Sequence, residues 1–216
     1  KSFLGFLTGA GKYDEEKIKN DSLFLTYHYL NNGYLKVKVS PPKVTISKDK
    51  RYIFVTFNIH EGQQYKIGKV SLSGDILTTP EELTGLLKTR KGDIYSQKVL
   101  EDDLLMLTDR YGDEGYAYAS INPITTPDDE TLTADINIQA AKGRRITIER
   151  INIEGNTTTR DKVIRREMEL MENDRYSERL LRRSRERLMR LGYFEDVSFA
   201  TPRGSRDDTM ILNIVV

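Results

Sequence analysis

Two histidines, one run of carboxylates and one arginine-rich stretch are the side chains of this chain that could carry chemistry. His28 and His60 stand on different elements, there is no cysteine, and no carboxylate lies at metal-ligand spacing. A metal site is therefore not expected, because such sites need three or four ligands converging on one point. Glu101-Asp102-Asp103 falls on a helical stretch and reads as a solvated face. The segment from Arg179 to Arg190 sets Leu181 and Leu188 on one helical stripe and leaves its arginines on the outer face. That face is either solvated, or docks an acidic protein or anionic headgroups, or holds nucleic acid. The last reading lacks the interleaved surface aromatics and glycines of RNA-binding modules. With no Gly-rich phosphate loop, nucleophile elbow or carboxylate pair, neither enzyme activity nor a cofactor is expected.

Composition narrows the class further. The 216 residues carry 34 Lys and Arg against 33 Asp and Glu, an overall balance that hides alternation. Basic and acidic residues number 10 and 6 in 1–62, 8 and 14 in 63–143, and 16 and 13 in 144–216. The sign changes from one stretch to the next, which argues against a single nucleic-acid stripe and for separate surfaces. No apolar run approaches the ~20 residues of a membrane-spanning helix, and no signal peptide is expected within these residues. The first residue is Lys1 rather than Met, so the chain reads as a piece of something longer.

A repeat organises these residues. Tyr95-Ser96 returns 81 residues on as Tyr176-Ser177, and Ser73-Gly74 as Glu154-Gly155; Tyr13-Asp14 is an earlier copy of the first pair. A period this long lets each unit hold its own small core. The expected modules are 1–62, which lacks the opening strand and part of the first helix, then 63–143 and 144–216. In the complete copies the opening strand carries Tyr65, Ile67, Val70 and Leu72, matched by Ile146, Ile148, Ile151 and Ile153. The two-residue alternation slips once at the same place in both, which predicts a β-bulge. Thr79-Pro80-Glu81-Glu82 starts a short helix, with Thr as cap and Pro at its first position. Leu83 and Leu87, matched by Ile164 and Met168, form its buried stripe. A second helix starts at each Tyr-Ser pair and ends at Gly33-Tyr34, Gly115-Tyr116 or Gly192-Tyr193. Phe3, Leu4, Phe6 and Leu7 read as the remnant of a first helix.

Two strands close each unit: Leu35–Ile46 with Tyr52–Ile59, Ala117–Thr125 with Leu132–Ile138, and Phe194–Ala200 with Met210–Val216. The fold class is α+β, tandem β-α-α-β-β modules, each a three-stranded mixed sheet covered by two antiparallel helices. Proline recurs on the second strand, at Pro41, Pro42, Pro123, Pro127 and Pro202, which assigns that strand to the sheet edge.

Tandem β-α-α-β-β units with a Gly-Tyr junction resemble POTRA domains, the periplasmic repeats of outer-membrane β-barrel assembly factors. The most specific stretches are Ile148-Glu149-Arg150-Ile151-Asn152-Ile153-Glu154-Gly155-Asn156-Thr157, Val163-Ile164-Arg165-Arg166-Glu167-Met168 and Arg187-Leu188-Met189-Arg190-Leu191-Gly192-Tyr193-Phe194. These are similar to the last unit before the barrel, so the chain looks like a truncated third and complete fourth and fifth units. The resemblance implies a periplasmic location, a tether to a C-terminal β-barrel, and a role in folding and inserting other barrel proteins. The implied partners are unfolded outer-membrane proteins and lipoproteins, with no nucleic acid. Lipoprotein docking falls on Arg165, Arg166 and Glu167, with Met168 in the core. Client strands would add to exposed second-strand edges, at Leu35, Lys36, Val37, Lys38 and Val39 and at Ala117, Tyr118, Ala119, Ser120 and Ile121. Lys36 and Lys38 would point outward, where they equally serve to block aggregation. The alternatives are the POTRA region of a two-partner secretion transporter and a basic nucleic-acid-binding array.

Overall fold

A computed structural model describes residues 15–49 and 51–216. The elements run α1 (Glu15–Asn31), β1 (Lys38–Val39), β2 (Lys43–Ile46), β3 (Ile53–Thr56), β4 (Ile59–His60), β5 (Lys66–Gly74), α2 (Pro80–Leu86), α3 (Gln97–Asp113), β6 (Ser120–Asp128), β7 (Thr133–Ala141), β8 (Thr147–Glu154), α4 (Asp161–Glu167), α5 (Glu178–Arg190), β9 (Ser198–Ala200) and β10 (Thr209–Val215). The β-α-α-β-β order appears twice in full, as β5-α2-α3-β6-β7 and β8-α4-α5-β9-β10. The sheets are ordered β5-β7-β6 and β8-β10-β9, which puts the second strand of each unit at an edge. β10 pairs parallel with β8 and antiparallel with β9, so the sheet is mixed.

The chain divides into two compact units. One holds the described residues up to Val70 with Lys88–Leu100 and Thr125–Ile136, and the other holds Ser71–Leu87, Glu101–Ile124 and Asn137–Val216. The boundary runs through the middle β-α-α-β-β set, and each unit contains one junction between successive sets.

Local signals explain the elements. Thr79 caps α2, its hydroxyl accepting from the Glu82 N–H at 3.3 Å, with Pro80 at the first helical position. Ser177 does the same for α5, accepting from the Leu180 N–H at 3.3 Å. The apolar stripe of α5 is buried at Leu181 and Leu188 and meets β10 through Met210, Leu212 and Ile214 in one cluster with Ile164 and Met168. Each such side chain contributes roughly 1.5–3 kcal/mol on full burial.

The bulge lies on β8. Met210 pairs with Ile148 but Ile211 pairs with Arg150, leaving Glu149 as the extra residue. The Glu149 carboxylate accepts from the Thr209 hydroxyl (2.7 Å), the Ser205 N–H (2.7 Å) and the Ser205 hydroxyl (2.9 Å). Those hydrogen bonds, Thr209 first, hold its carboxyl below the usual range. The position equivalent to Glu149 on β5 is Gly68. There Asp135 Oδ1 accepts from the Lys69 N–H at 2.6 Å, and a Cβ on residue 68 would stand 2.2 Å from that oxygen.

The strands after α1 depart from expectation. Among the described residues β1 pairs with β4 and β2 with β3, in two separate two-stranded sheets. Val39 pairs with Ile59 and Lys43 with Thr56, so the register slips by one residue across Pro41-Pro42, which has no N–H to carry the ladder through. The second strand of the last unit is also shorter than expected, beginning at Ser198 rather than Phe194. The expected helix remnant at Phe3, Leu4, Phe6 and Leu7 lies outside the described residues, as does the Tyr13-Asp14 pair.

Candidate strand-binding edges and docking surface

The residues expected to bind clients begin where a helix hands over to a strand, and that handover is built the same way twice. Gly33 has φ +88° and Gly115 φ +92°, a left-handed conformation that favours glycine. The Gly33 N–H donates to the Leu30 carbonyl (3.4 Å) and the Tyr34 N–H to the Tyr29 carbonyl (3.1 Å). The Gly115 N–H donates to Gly112 and the Tyr116 N–H to Tyr111, both at 3.0 Å. This is the Schellman helix end, with its hydrophobic contact supplied by Tyr29 and Tyr34, whose rings meet edge to face at 5.5 Å. A turn follows in each case, closed by Val37 N–H to Tyr34 (3.2 Å) and Ala119 N–H to Tyr116 (3.1 Å). Leu35, Lys36 and Val37, and likewise Ala117, Tyr118 and Ala119, therefore precede the strand instead of forming it. The strands begin at Lys38 and Ser120, so only Lys38, Val39, Ser120 and Ile121 of the expected edge residues lie in one.

The displaced residues serve the junctions. Lys36 donates to Asp129 Oδ1 at 2.6 Å, and the Tyr65 hydroxyl donates to the same oxygen at 2.5 Å. The Lys36 ammonium, then the Tyr65 hydroxyl, hold the Asp129 carboxyl below its usual range. Tyr118 lies under the Arg203 guanidinium at 5.2 Å and packs against the core of the last unit. Its hydroxyl is buried without a partner, and burial pushes its pKa up. The glycine carbonyls are also used: Gly33 accepts from the Tyr65 N–H and Gly115 from the Ile146 N–H, each at 2.8 Å. Finally, Asn31 Oδ1 accepts from the Lys98 N–H and Asp113 Oδ1 from the Arg179 N–H, each at 2.7 Å. The C-terminal residue of one unit's second helix thus caps the second helix of the next. Leu35, Val37 and Val39 are half-buried while Lys36 and Lys38 are exposed, the alternation expected from the sequence.

At the expected docking segment on α4, Arg165 is partly covered, its side chain 38% exposed. It donates to Glu172 Oε1 (2.8 Å) and to the Ile151 carbonyl (2.9 Å), and holds the Glu172 carboxyl below its usual range. Glu167 accepts from Arg187 at 3.1 and 3.2 Å, and that guanidinium, more than Arg166, lowers its pKa. Arg166 is 72% exposed and meets its neighbour Glu167 at 3.3 Å. Met168 is buried, as expected. Of the three docking residues, Arg166 is the most exposed.

The arginines of α5 are largely committed to carboxylates. Arg182 meets Asp109 at 2.6 Å, Arg185 meets Asp196 at 3.5 Å, and Arg187 meets Glu167 and Glu169. Of the acidic run, Glu101 and Asp102 are exposed as expected, whereas Asp103 is 1% exposed and corrects the expectation at that position. The repeat itself contained the signal, because its 81-residue counterpart is Ser184, also buried, whose hydroxyl accepts from the Glu169 N–H at 2.8 Å. Among the described residues no cluster of three or more His, Asp or Glu side chains could hold a metal ion. Among them, too, no helix is long and apolar enough to cross a membrane.

The POTRA family model, described as surface antigen variable number repeat, matches residues 1–62, 65–143 and 146–216. The outer membrane protein assembly factor BamA of Nitratidesulfovibrio vulgaris is 34% identical over all of this chain, and that of Neisseria meningitidis serogroup B is 36% identical over 97% of it. The chain spans 28% and 26% of the length of these two relatives. A crystal structure of Haemophilus influenzae BamA POTRA3-5 superposes with a TM-score of 0.84 at 28% identity, covering 95% of this chain and 82% of that one. BamA of Haemophilus ducreyi lacking POTRA domains 1-3 gives 0.60 at 28% identity, covering 70% of this chain and 29% of that one.

Proposed function

The chain belongs to the POTRA family, and from that premise we propose that it is the periplasmic receiving region of an outer-membrane β-barrel assembly factor. Its modules are taken as 1–62, 63–143 and 144–216. It acts as a scaffold rather than an enzyme, uses no cofactor and binds no nucleic acid. Unfolded outer-membrane proteins add as strands to its sheet edges, Arg166 and its neighbours on α4 dock a lipoprotein, and a C-terminal β-barrel tethers it to the membrane.

The observation that carries this reading is the placement of the second strand at a sheet edge in both complete units. An edge offers unpaired main-chain donors and acceptors that any extended segment satisfies, whatever its sequence. Each hydrogen bond adds only roughly 0.5–1.5 kcal/mol net, so one edge holds weakly. Several edges on one chain raise retention through effective concentration while each contact stays reversible. That combination suits a hand-off.

Photo-crosslinkers placed singly at Ser120, Phe199 and Arg166 test the reading against an unfolded barrel protein and a lipoprotein of the assembly complex. The client should couple to an edge position and the lipoprotein to Arg166. Coupling of neither, with oligonucleotide binding that falls steeply as salt rises, would replace the scaffold by the nucleic-acid reading.

A further inference from the structure

Three helices of this chain end at a glycine followed by a tyrosine, and among the described residues two of those ends hold a following unit. There the glycine is buried, the Gly33 carbonyl accepting from the Tyr65 N–H and the Gly115 carbonyl from the Ile146 N–H. At the third end, after α5, Gly192 keeps the left-handed conformation with φ +68° but is exposed. Beyond its chain neighbours no atom stands within 4 Å of where its Cβ would be. Tyr193 beside it is 67% exposed, whereas Tyr34 and Tyr116 are half-buried.

The side chains around this third end differ in a consistent direction. The last residues of α1 and α3 are Asn31 and Asp113, and each accepts an N–H from the second helix of the next unit. The last residue of α5 is Arg190, which has no acceptor and opposes the positive end of a helix. Two residues after Tyr116 comes Tyr118, packed against the core of the next unit, but two after Tyr193 comes the exposed Glu195. A carboxylate laid against an apolar core would lose its hydration without a partner. The features that receive a module's helix and core are thus replaced by charge, and a further β-α-α-β-β unit does not fit there.

The features that receive a linking segment are kept. In the middle unit that link is 141–146. Its Lys142 ammonium and Arg145 guanidinium lie over the Tyr116 ring at 5.9 and 5.3 Å, and its Lys142 N–H donates to Asp75 Oδ2 at 3.2 Å. The starting point is matched in the last unit: a Cβ on Gly74 would stand 2.2 Å from the Ala140 carbonyl oxygen, and one on Gly155 2.2 Å from that of Val216. Val216 also lines a cavity of about 520 Å³ with Asn156, Thr157, Tyr193, Glu195 and Asp196. The cavity therefore joins an uncovered tyrosine ring to two carboxylates, where the middle unit has Tyr118 and Ala119. Ring face and carboxylate both favour a cation.

Resting on the barrel tether proposed above, we infer that this cavity seats the segment joining the last unit to its barrel, an extended basic stretch with Lys or Arg over Tyr193 and a main-chain N–H on the Gly192 carbonyl. Held at both points, the link leaves the unit in a fixed direction, and the array of modules stops there because Arg190 and Glu195 refuse another.

The test is an NMR titration of the chain with a peptide copying residues 141–148, the link of the middle unit with the start of the strand it enters. Shifts at Gly192, Tyr193 and Thr157 are expected, and a peptide with glutamate at the positions of Lys142 and Arg145 should produce none. Tyr193→Leu should weaken binding about two- to fivefold, the share of an exposed cation–π contact. Arg190→Gln should leave binding unchanged, since that residue bars a helix and does not hold the link. In the protein that carries its barrel the same peptide should fail to bind, because the link already fills the seat. Binding there would assign the seat to a separate basic partner and overturn this inference, as would shifts confined to other surfaces or retained by the glutamate peptide. Those outcomes leave the scaffold reading standing if the crosslinks at Ser120, Phe199 and Arg166 form, and loss of those crosslinks fells that reading whatever the peptide does.

Discussion

The junction that follows α1 and the junction that follows α3 share a backbone and differ in side chains. Both end a helix in a Schellman turn at glycine, both use the glycine carbonyl to hold the next β-strand at 2.8 Å, and both cap the next unit's second helix from a helix-end side chain at 2.7 Å. Around this shared frame the first junction adds Lys36, Asp129 and Tyr65, and the second adds Asp109 with Arg182 and Tyr118 with Arg203. Backbone geometry recurs because the glycines recur at the same point of each unit. The charged contacts do not recur, since surface substitutions are nearly neutral and each junction has acquired its own.

The largest effects should come from the shared frame. Gly33→Ala and Gly115→Ala each incur the ~1–2 kcal/mol of a left-handed alanine. Gly33→Ala should cost more, because its Cβ would stand 2.9 Å from the fixed Tyr65 carbonyl, whereas at Gly115 the close atoms at 2.8 Å belong to the flexible Arg175 side chain. Denaturant unfolding of both variants checks the order, and equal losses would remove the distinction. Next, Asp113→Ala should cost about 1 kcal/mol, since its carboxylate accepts from the Arg179 N–H and from the Ser177 hydroxyl at 3.2 Å. Asn31→Ala removes one neutral acceptor and should cost less, and Asp113→Asn should recover most of the loss.

Smaller still, Arg182→Ala breaks a half-exposed ion pair worth roughly 0.2–1 kcal/mol, and Asp109→Ala should cost no more than that on top of it, which a double-mutant cycle reads directly. The smallest effect is a pH response at the first junction. The Asp129 carboxyl titrates below the usual range, so its contribution is complete above about pH 4 and is lost as pH falls through its lowered value. A carboxyl NMR titration should show that midpoint return toward ordinary aspartate in Lys36→Ala. An unchanged midpoint would mean that Lys36 does not hold Asp129.

Much of this architecture was legible in the residues because a repeat shows each local signal twice. The slip between Ile148 and Ile151 announced the bulge at Glu149, and proline announced the edge. The misplaced part was the start of that edge. Leu35–Val37 and Ala117–Ala119 alternate like strand residues, yet the aromatic after each glycine is held to the preceding helix, and the chain must turn before it can pair. The pairing of Arg165 was hidden too, since its partners Glu172 and the Ile151 carbonyl lie outside its own helix.

The sequence by itself determined the unit, its caps, its buried stripes and the edge position of the second strand, all consequences of spacing within one element. Only the tertiary structure decided where each edge strand begins, which partners Arg165 and Glu167 find and which side chains close the junctions. Those outcomes depend on register and on partners from distant elements, and a two-residue period reads the same whether a nitrogen points into the ladder or away from it.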